Sequence, residues 1–332
     1  MNQRDRFVSV LNFKTPDDRL PMVEWAGWWD LTHHRWQREG LPGNLRGEDL
    51  VDYFGIDELA CIKAYGISDQ CPKPAYHGAP VITDEASYDA VRPYILNDSL
   101  IEQAREQALQ LKEKHESGEI AVRLWLDGFF WFPRSMFGIM NHLFAFYEFP
   151  ALMHRMNNDL AEFDLRVMET VFQILEPDMV GFAEDMSYNH GSMISHDMYR
   201  EFLSPYYAKT IPFIKKHGIK VMVDSDGDIT QMIPWLLEDG IEGVYPLERQ
   251  AGVDVAALRR QYPKLLILGA YDKLVMSKGE QEMRAEFERL LPVMRSGGFV
   301  PSVDHQTPPE VSLDNYRIYL RLFEEYCKKA VR

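Results

Sequence analysis

Short apolar runs alternate with longer amphipathic stretches along the whole chain. The runs read "RLPMVEWAG", "ELACIKAYG", "IAVRLWLDG", "DMVGFAED", "IKVMVDSDG", "IEGVYPLE", "KLLILGAYD" and "FVPSVDHQ". They are mostly continuous in apolar character, as expected of parallel strands buried on both faces. Between them apolar residues return at helical spacing. Ile101, Ala104, Ala108 and Leu111 share one face, with Asp98 and Ser99 as a start signal and Gly118 as a stop. Leu152, Met156, Leu160, Phe163, Val167, Val171 and Ile174 do the same over 150–175. Pro205 should bend or restart a helix near Leu203 to Tyr207. Later helices are expected over 229–237, 255–260, 279–295 and 313–330.

Strand-like runs alternating with helices predict an α/β chain folded as a (β/α)8 TIM barrel, one domain over residues 1–332. An open doubly wound sheet is the alternative, weakened because no GxGxxG or GxxxxGK(S/T) follows the first run. The passage "PKPAYHGAPVITDEASYDAVRPYIL" reads as an extra hairpin after the second strand.

Composition narrows the function classes. The apolar fraction of 46% suits a packed core, and the formal net charge of −15 argues against nucleic acid and against an anionic membrane surface. Cys61, Cys71 and Cys327 are too few and scattered for a disulfide framework, and no CxxC offers a thiolate pair. The first residues, "MNQRDRFVSVLNFKTPDD", have no long apolar run, and no stretch approaches the ~18 apolar residues of a membrane span. A cytoplasmic setting is the expectation.

In a barrel the chemistry sits where strands end. The runs end in Glu24, Asp127, Glu184 with Asp185, Asp224 with Asp226, Glu248, Asp272 with Lys273, and Asp304 with His305. Carboxylates ringing one cavity must protonate, pair with a cation or bind a metal. Asp224 and Asp226 lie two apart and so point the same way on a strand. With His305 they could hold a divalent metal; alternatively Asp226 or Asp228 caps the helix at Ile229 and Asp224 pairs with an arginine. Asp304 could orient the His305 imidazole, against a loop histidine satisfied by backbone. "GFFWFPRSMFG" sets Arg134 beside Phe130, either as the anion hook of an aromatic cavity or as the partner of a buried carboxylate. Trp25 and Trp28 of "EWAGWWDLTHHRW" could line the same cavity, with Glu248 as a further polar contact. His33 and His34 are adjacent, face apart on a helix, and make a poor metal pair.

Together these stretches resemble the uroporphyrinogen decarboxylase superfamily, a (β/α)8 barrel. "RDRFVSVLNFKTPDDRLPM" is similar to its opening helix and strand, and "GSMISHDMYREFLSPYYAKTIPFIKKHG" to its Ser-Pro turn and helix. "LGAYDKLVMSKG" is similar to its Gly-Asn-x-Asp-Pro stretch, and "VDHQTPPEVSLDNY" to its Gly-His-Gly-Ile and Thr-Pro stretch. Order and spacing carry the likeness. The true decarboxylase holds its acidic substrate with an Arg-Gln-Ala-Gly-Arg run. Here the matching run is "EWAGW", with Glu24 and Trp28 at the arginine positions, which should repel a polycarboxylate.

The other branch contains zinc methyltransferases that work with corrinoid proteins. Their fifth strand ends in His-x-Cys-Gly. Alignment on Gly227 puts Asp224 on that His and Asp226 on that Cys, while their last Cys falls near His305. The resemblance therefore implies zinc or a similar divalent metal held by Glu184, Asp224 and His305, with Asp226, His305 and Asp304 in catalysis. Substrate would meet Trp25, Trp28, Phe130, Arg134 and Glu248. Oxygen and imidazole ligands suit an oxygen-linked methyl donor, such as a methoxylated aromatic, in a methyltransferase or O-demethylase component. No Asp-x-His-x-x-Gly motif is present, so the corrinoid would arrive on a separate protein. The alternatives are a metal-independent decarboxylase or lyase on a smaller acid, and a non-catalytic binding subunit.

Overall fold

Strands form where the chain is most continuously apolar. The computed structural model describes every residue from Met1 to Arg332. In chain order the strands are β1 (Leu59–Ala64), β2 (Ala121–Asp127), β3 (Met179–Ala183), β4 (Ser187–Tyr188), β5 (Gly191–Ser192), β6 (Lys220–Ser225), β7 (Gly243–Pro246), β8 (Leu266–Tyr271) and β9 (Phe299–Val303). Seven of them make one curled sheet in the order β1-β2-β3-β6-β7-β8-β9, every neighbouring pair parallel. Parallel neighbours need long crossovers, and helices supply them. Helix Asp98–Ser117 leads into β2 and helix Pro150–Phe172 into β3. The latter buries Leu152, Met156, Leu160, Phe163, Val167 and Val171 as one stripe. Its counterpart before β6 restarts at Ser204 with a proline in its first turn, directly after a separate helix His196–Phe202. The buried apolar residues join into one cluster running from Phe7 to Ala330. No helix is long and apolar enough to cross a membrane.

Two expectations fail locally. The first apolar run makes no strand, so the sheet has seven strands and an extended segment instead of eight strands in a closed ring. Pro21 has no N–H to give a ladder, and the Trp25 amide reaches only the Ser302 hydroxyl, at 3.5 Å. The segment still bridges the sheet's two edges. Asp57 donates its amide to the Met22 carbonyl (2.7 Å), and the Trp25 indole donates to the Val303 carbonyl (2.9 Å). Buried Asp57 fastens it by accepting from Arg6, Arg19 and the Met22 amide at 2.6–3.0 Å.

The passage expected as a hairpin carries helix Glu85–Val91 instead, started by a reciprocal Asp84–Ser87 capping box. That cap is the stronger local signal. An isolated antiparallel bridge, Ile67 to Ile95, is the ladder contact found there. The chain does form a hairpin, between β4 and β5, but it follows β3.

Candidate active site

Alternate residues of a strand share a face, and this rule builds the site. Cys61 and Lys63 of β1, Arg123 and Trp125 of β2 and Asp224 of β6 face one cavity of about 580 Å³ at the carboxyl ends of the sheet. The extended N-terminal segment adds Glu24, Trp25 and Trp28, and the loop after β9 adds His305.

The acidic wall is Asp224 and Asp226 with His305. The His305 Nε2 lies 3.6 Å from an Asp226 carboxyl oxygen. Burial lifts Asp226 to about 7, the charges of Glu248 and Asp185 push the same way, and Lys273 opposes them. Asp224 is raised well above the ordinary carboxylate range, first by burial and then by Asp226, with Arg123 opposing. His305 is lowered, by burial and then by Lys273. Near neutral pH this wall keeps protons on its carboxyls and leaves the imidazole neutral. Across the cavity burial raises Glu24 to about 8, against a hydrogen bond from the Tyr319 hydroxyl at 3.0 Å.

Behind the wall the polar groups are occupied. Glu248 accepts from the Gly227 amide at 3.0 Å and pairs with Lys273 at 3.4 Å. Gly227 has φ +83°, and an added Cβ would sit 2.7 Å from the Tyr188 backbone, so the turn after β6 requires glycine. Asp304 accepts from the Arg249 and Lys273 amides at 3.0 and 3.2 Å. It pins two loops and forms no hydrogen bond to the imidazole it was expected to orient. Asp226 is the carboxyl beside that ring.

Glu184 also departs from its expected role. It accepts from the amides of Phe129 (2.9 Å), Phe130 (2.7 Å) and Trp131 (3.3 Å) and from the Tyr207 hydroxyl. Its oxygens thus cap the start of helix Trp131–Phe137. An added Cβ on Gly128 would lie 2.1 Å from the Glu184 carboxyl carbon, so glycine permits the approach. Burial still raises Glu184 to about 7 against these hydrogen bonds. Asp224 and His305 face the cavity, but no three His, Cys, Asp or Glu side chains converge as a metal-ligand set. The arrangement does not fit the expected zinc site.

Of the expected substrate contacts, Trp25 and Trp28 line the cavity. Phe130 packs against His142 and Phe146 (ring centroids 4.5 and 6.2 Å), inside the helical layer. Arg134 is bound to the carbonyl and carboxylate of Asp185 at 2.8 and 2.9 Å, and is no free anion hook. Glu248 supports the site from behind.

Arg123 also lines the cavity, from inside a strand and not from its end. It is 5% exposed, in the middle of β2. One guanidinium nitrogen donates to the Trp25 carbonyl at 2.8 Å, while Nε and Nη1 have no partner. Its Cζ lies 4.5 Å from the Trp125 ring centroid and 5.6 Å from that of Trp25. The signal was a lone cation inside the apolar run "IAVRLWLDG", two residues before a tryptophan.

These proton-holding carboxyls have a consequence for stability. Glu24 stands at about 8, Asp226 and Glu184 at about 7, and Asp224 and Asp164 are raised well above the ordinary value. In the unfolded chain each ionises near ~4. Between the two values the folded protein keeps a proton that the unfolded chain has lost, so stability falls as pH rises through the folded values. The melting temperature should therefore be higher at pH 6.5 than at pH 8.5. Calorimetry at the two pH values checks this, and an equal or lower value at pH 6.5 would contradict the protonated assignment.

Comparison with curated proteins gives no match. Among solved structures, a methyltransferase from Methanosarcina mazei superposes with TM-score 0.69 at 14% identity, over 98% of this chain and 99% of that one. A protein described as a vitamin-B12-independent methionine synthase from Listeria monocytogenes gives TM-score 0.48 at 9% identity, over 95% and 98%. A family model described as uroporphyrinogen decarboxylase (URO-D) matches residues 81–326. That match spans β2 to β9 and most of the final helix, and by it the chain belongs to the uroporphyrinogen decarboxylase family.

Proposed function

We propose that this protein is a methyltransferase of that family, moving a methyl group from a small oxygen-linked donor to a corrinoid on a separate protein. The observation that carries the reading is the acidic wall: Asp226 holds a proton near neutrality and faces the cavity 3.6 Å from a neutral His305. Breaking a methyl–oxygen bond leaves an electron pair on oxygen, and that oxygen must be protonated or stabilised. Asp226 delivers its proton to the departing oxygen as the methyl group passes to the acceptor, leaving an alcohol or phenol and the Asp226 carboxylate. His305 returns a proton from solvent to Asp226. The corrinoid supplies the nucleophile.

Family membership and the fold shared with the Methanosarcina enzyme support this reading. A divalent metal such as zinc would have to be held by Asp224, Asp226 and His305 after side-chain movement. Decarboxylation of an acidic tetrapyrrole is disfavoured by "EWAGW", where Glu24 is hydrogen-bonded to Tyr319 and no arginine is present.

The test mixes the full-length protein with methoxylated aromatics and reduced free cobalamin, following methylcobalamin by absorbance and the free phenol by chromatography. Methyl transfer that survives chelator treatment is the expected result. Loss of activity on chelation with recovery on added zinc would replace the acid by a metal. Release of CO₂ from a carboxylic acid, without methyl transfer, would leave the decarboxylase reading.

A further inference from the structure

We propose that Arg123 anchors a carboxylate of the donor, so that this protein takes small planar carboxylic acids bearing the methylated oxygen at the end away from the acid group. The carboxylate half of the proposal rests on Arg123 alone; the methylated half rests on the methyl-transfer reading above.

A buried guanidinium without an anionic partner is costly, since removing a charge from water is repaid only by pairing or hydrogen bonds. Arg123 has no carboxylate within salt-bridge distance; the Cys61 thiol, the Tyr245 hydroxyl and, beyond ion-pair range, Asp224 are its polar neighbours, and its Nε and Nη1 are buried without a well-formed hydrogen bond. It is nonetheless rigidly placed. One nitrogen is tied to the Trp25 carbonyl, and the stacked Trp25 and Trp125 rings lie beside it, their centroids 5.6 and 4.5 Å from Cζ. A locked planar fork with free donors beside aromatic walls is suited to a planar carboxylate.

Charge around the cavity fixes the orientation. Lys63, register neighbour of Trp125 on β1, adds a second cation on the same side. Lys63 and Arg123 are the only lysine and arginine lining the cavity, while Asp224 and Asp226 line it beside His305 and offer a carboxylate no such partner. An acid therefore places its carboxylate at β1 and β2 and its far end at the Asp226–His305 pair. Trp25, Trp28 and Trp125 give the cavity aromatic walls suited to an aromatic ring.

Calorimetric titration of the full-length protein with 4-methoxybenzoate and its neutral counterpart 4-methoxybenzamide tests this without any acceptor. The wild type should bind the acid at least about 10-fold more tightly than the amide. Arg123→Met should weaken acid binding by about 10- to 100-fold, leave amide binding unchanged and leave the melting temperature unchanged or higher. That temperature readout separates loss of an anchor from loss of structure. Arg123→Lys should keep part of the preference for the acid, and it decides the matter if the Met variant does not fold. Equal binding of acid and amide by the wild type, absence of binding by both, or unchanged acid affinity in Arg123→Met would overturn the proposal. Turnover of neutral methoxyarenes with no preference for acids would sink the anchor and keep methyl transfer. Tight acid binding without turnover would do the reverse.

Discussion

Asp226→Asn should lower methyl transfer by about 10²- to 10⁴-fold, the usual reach of a positioned general acid. The amide has the shape of the carboxyl but no proton that can be transferred. The loss should be largest for donors whose departing oxygen is strongly basic, and smallest for activated aryl ethers that leave without help. In the wild type the rate should fall as pH rises through about 7, where Asp226 gives up its proton. The residual rate of the variant should be flat over that range. Asp226 is partly open to the cavity and crowded by Glu248 and Asp185, so removing its charge should not lower the melting temperature. A variant keeping half the wild-type rate, or one that loses the rate without losing the pH dependence, would remove Asp226 from the reaction.

Glu184→Ala should destabilise the fold by about 4 kcal/mol, at the upper end of single substitutions. Three backbone amides and the Tyr207 hydroxyl would lose their acceptor at once, all in a fully buried setting. Each orphaned buried donor costs about 1–3 kcal/mol. Glu184→Gln keeps an acceptor oxygen but points an amide nitrogen at those donors, and should cost about half as much. Denaturant midpoints measure both. If Glu184 were a metal ligand, the Gln variant would lose bound metal while keeping its stability, and an Ala variant within about 1 kcal/mol of wild type would point the same way.

The strand order was legible because β2, β3, β7, β8 and β9 are buried on both faces and so read as unbroken apolar runs. The first run reads the same way, yet pairing depends on amide hydrogens that Pro21 lacks and Trp25 directs to a side chain. The position of the site was also legible, since acids gathered at strand ends. Side-chain direction was not. Glu184 lines the cavity and Asp304 sits beside it, but both turn their oxygens to amides contributed by other loops. Sequence spacing carries no trace of those partners. Arg123 is readable from its own strand: an inward cation in an apolar run needs partners, and two of its nitrogens have none.

The Trp25 indole is bonded to Val303 across a separation of 278 residues. The wall behind Arg123 is thus made from one of the first segments to leave the ribosome and one of the last. At ~5–20 residues per second of synthesis, Trp25 waits for its partner until nearly the whole chain has emerged. That wall is a late product of folding, and the loop its contact closes takes in most of the chain, the kind whose closure is slow and entropically demanding. An acid seated there would bind only the finished protein, and by mass action would hold the two ends of the chain together.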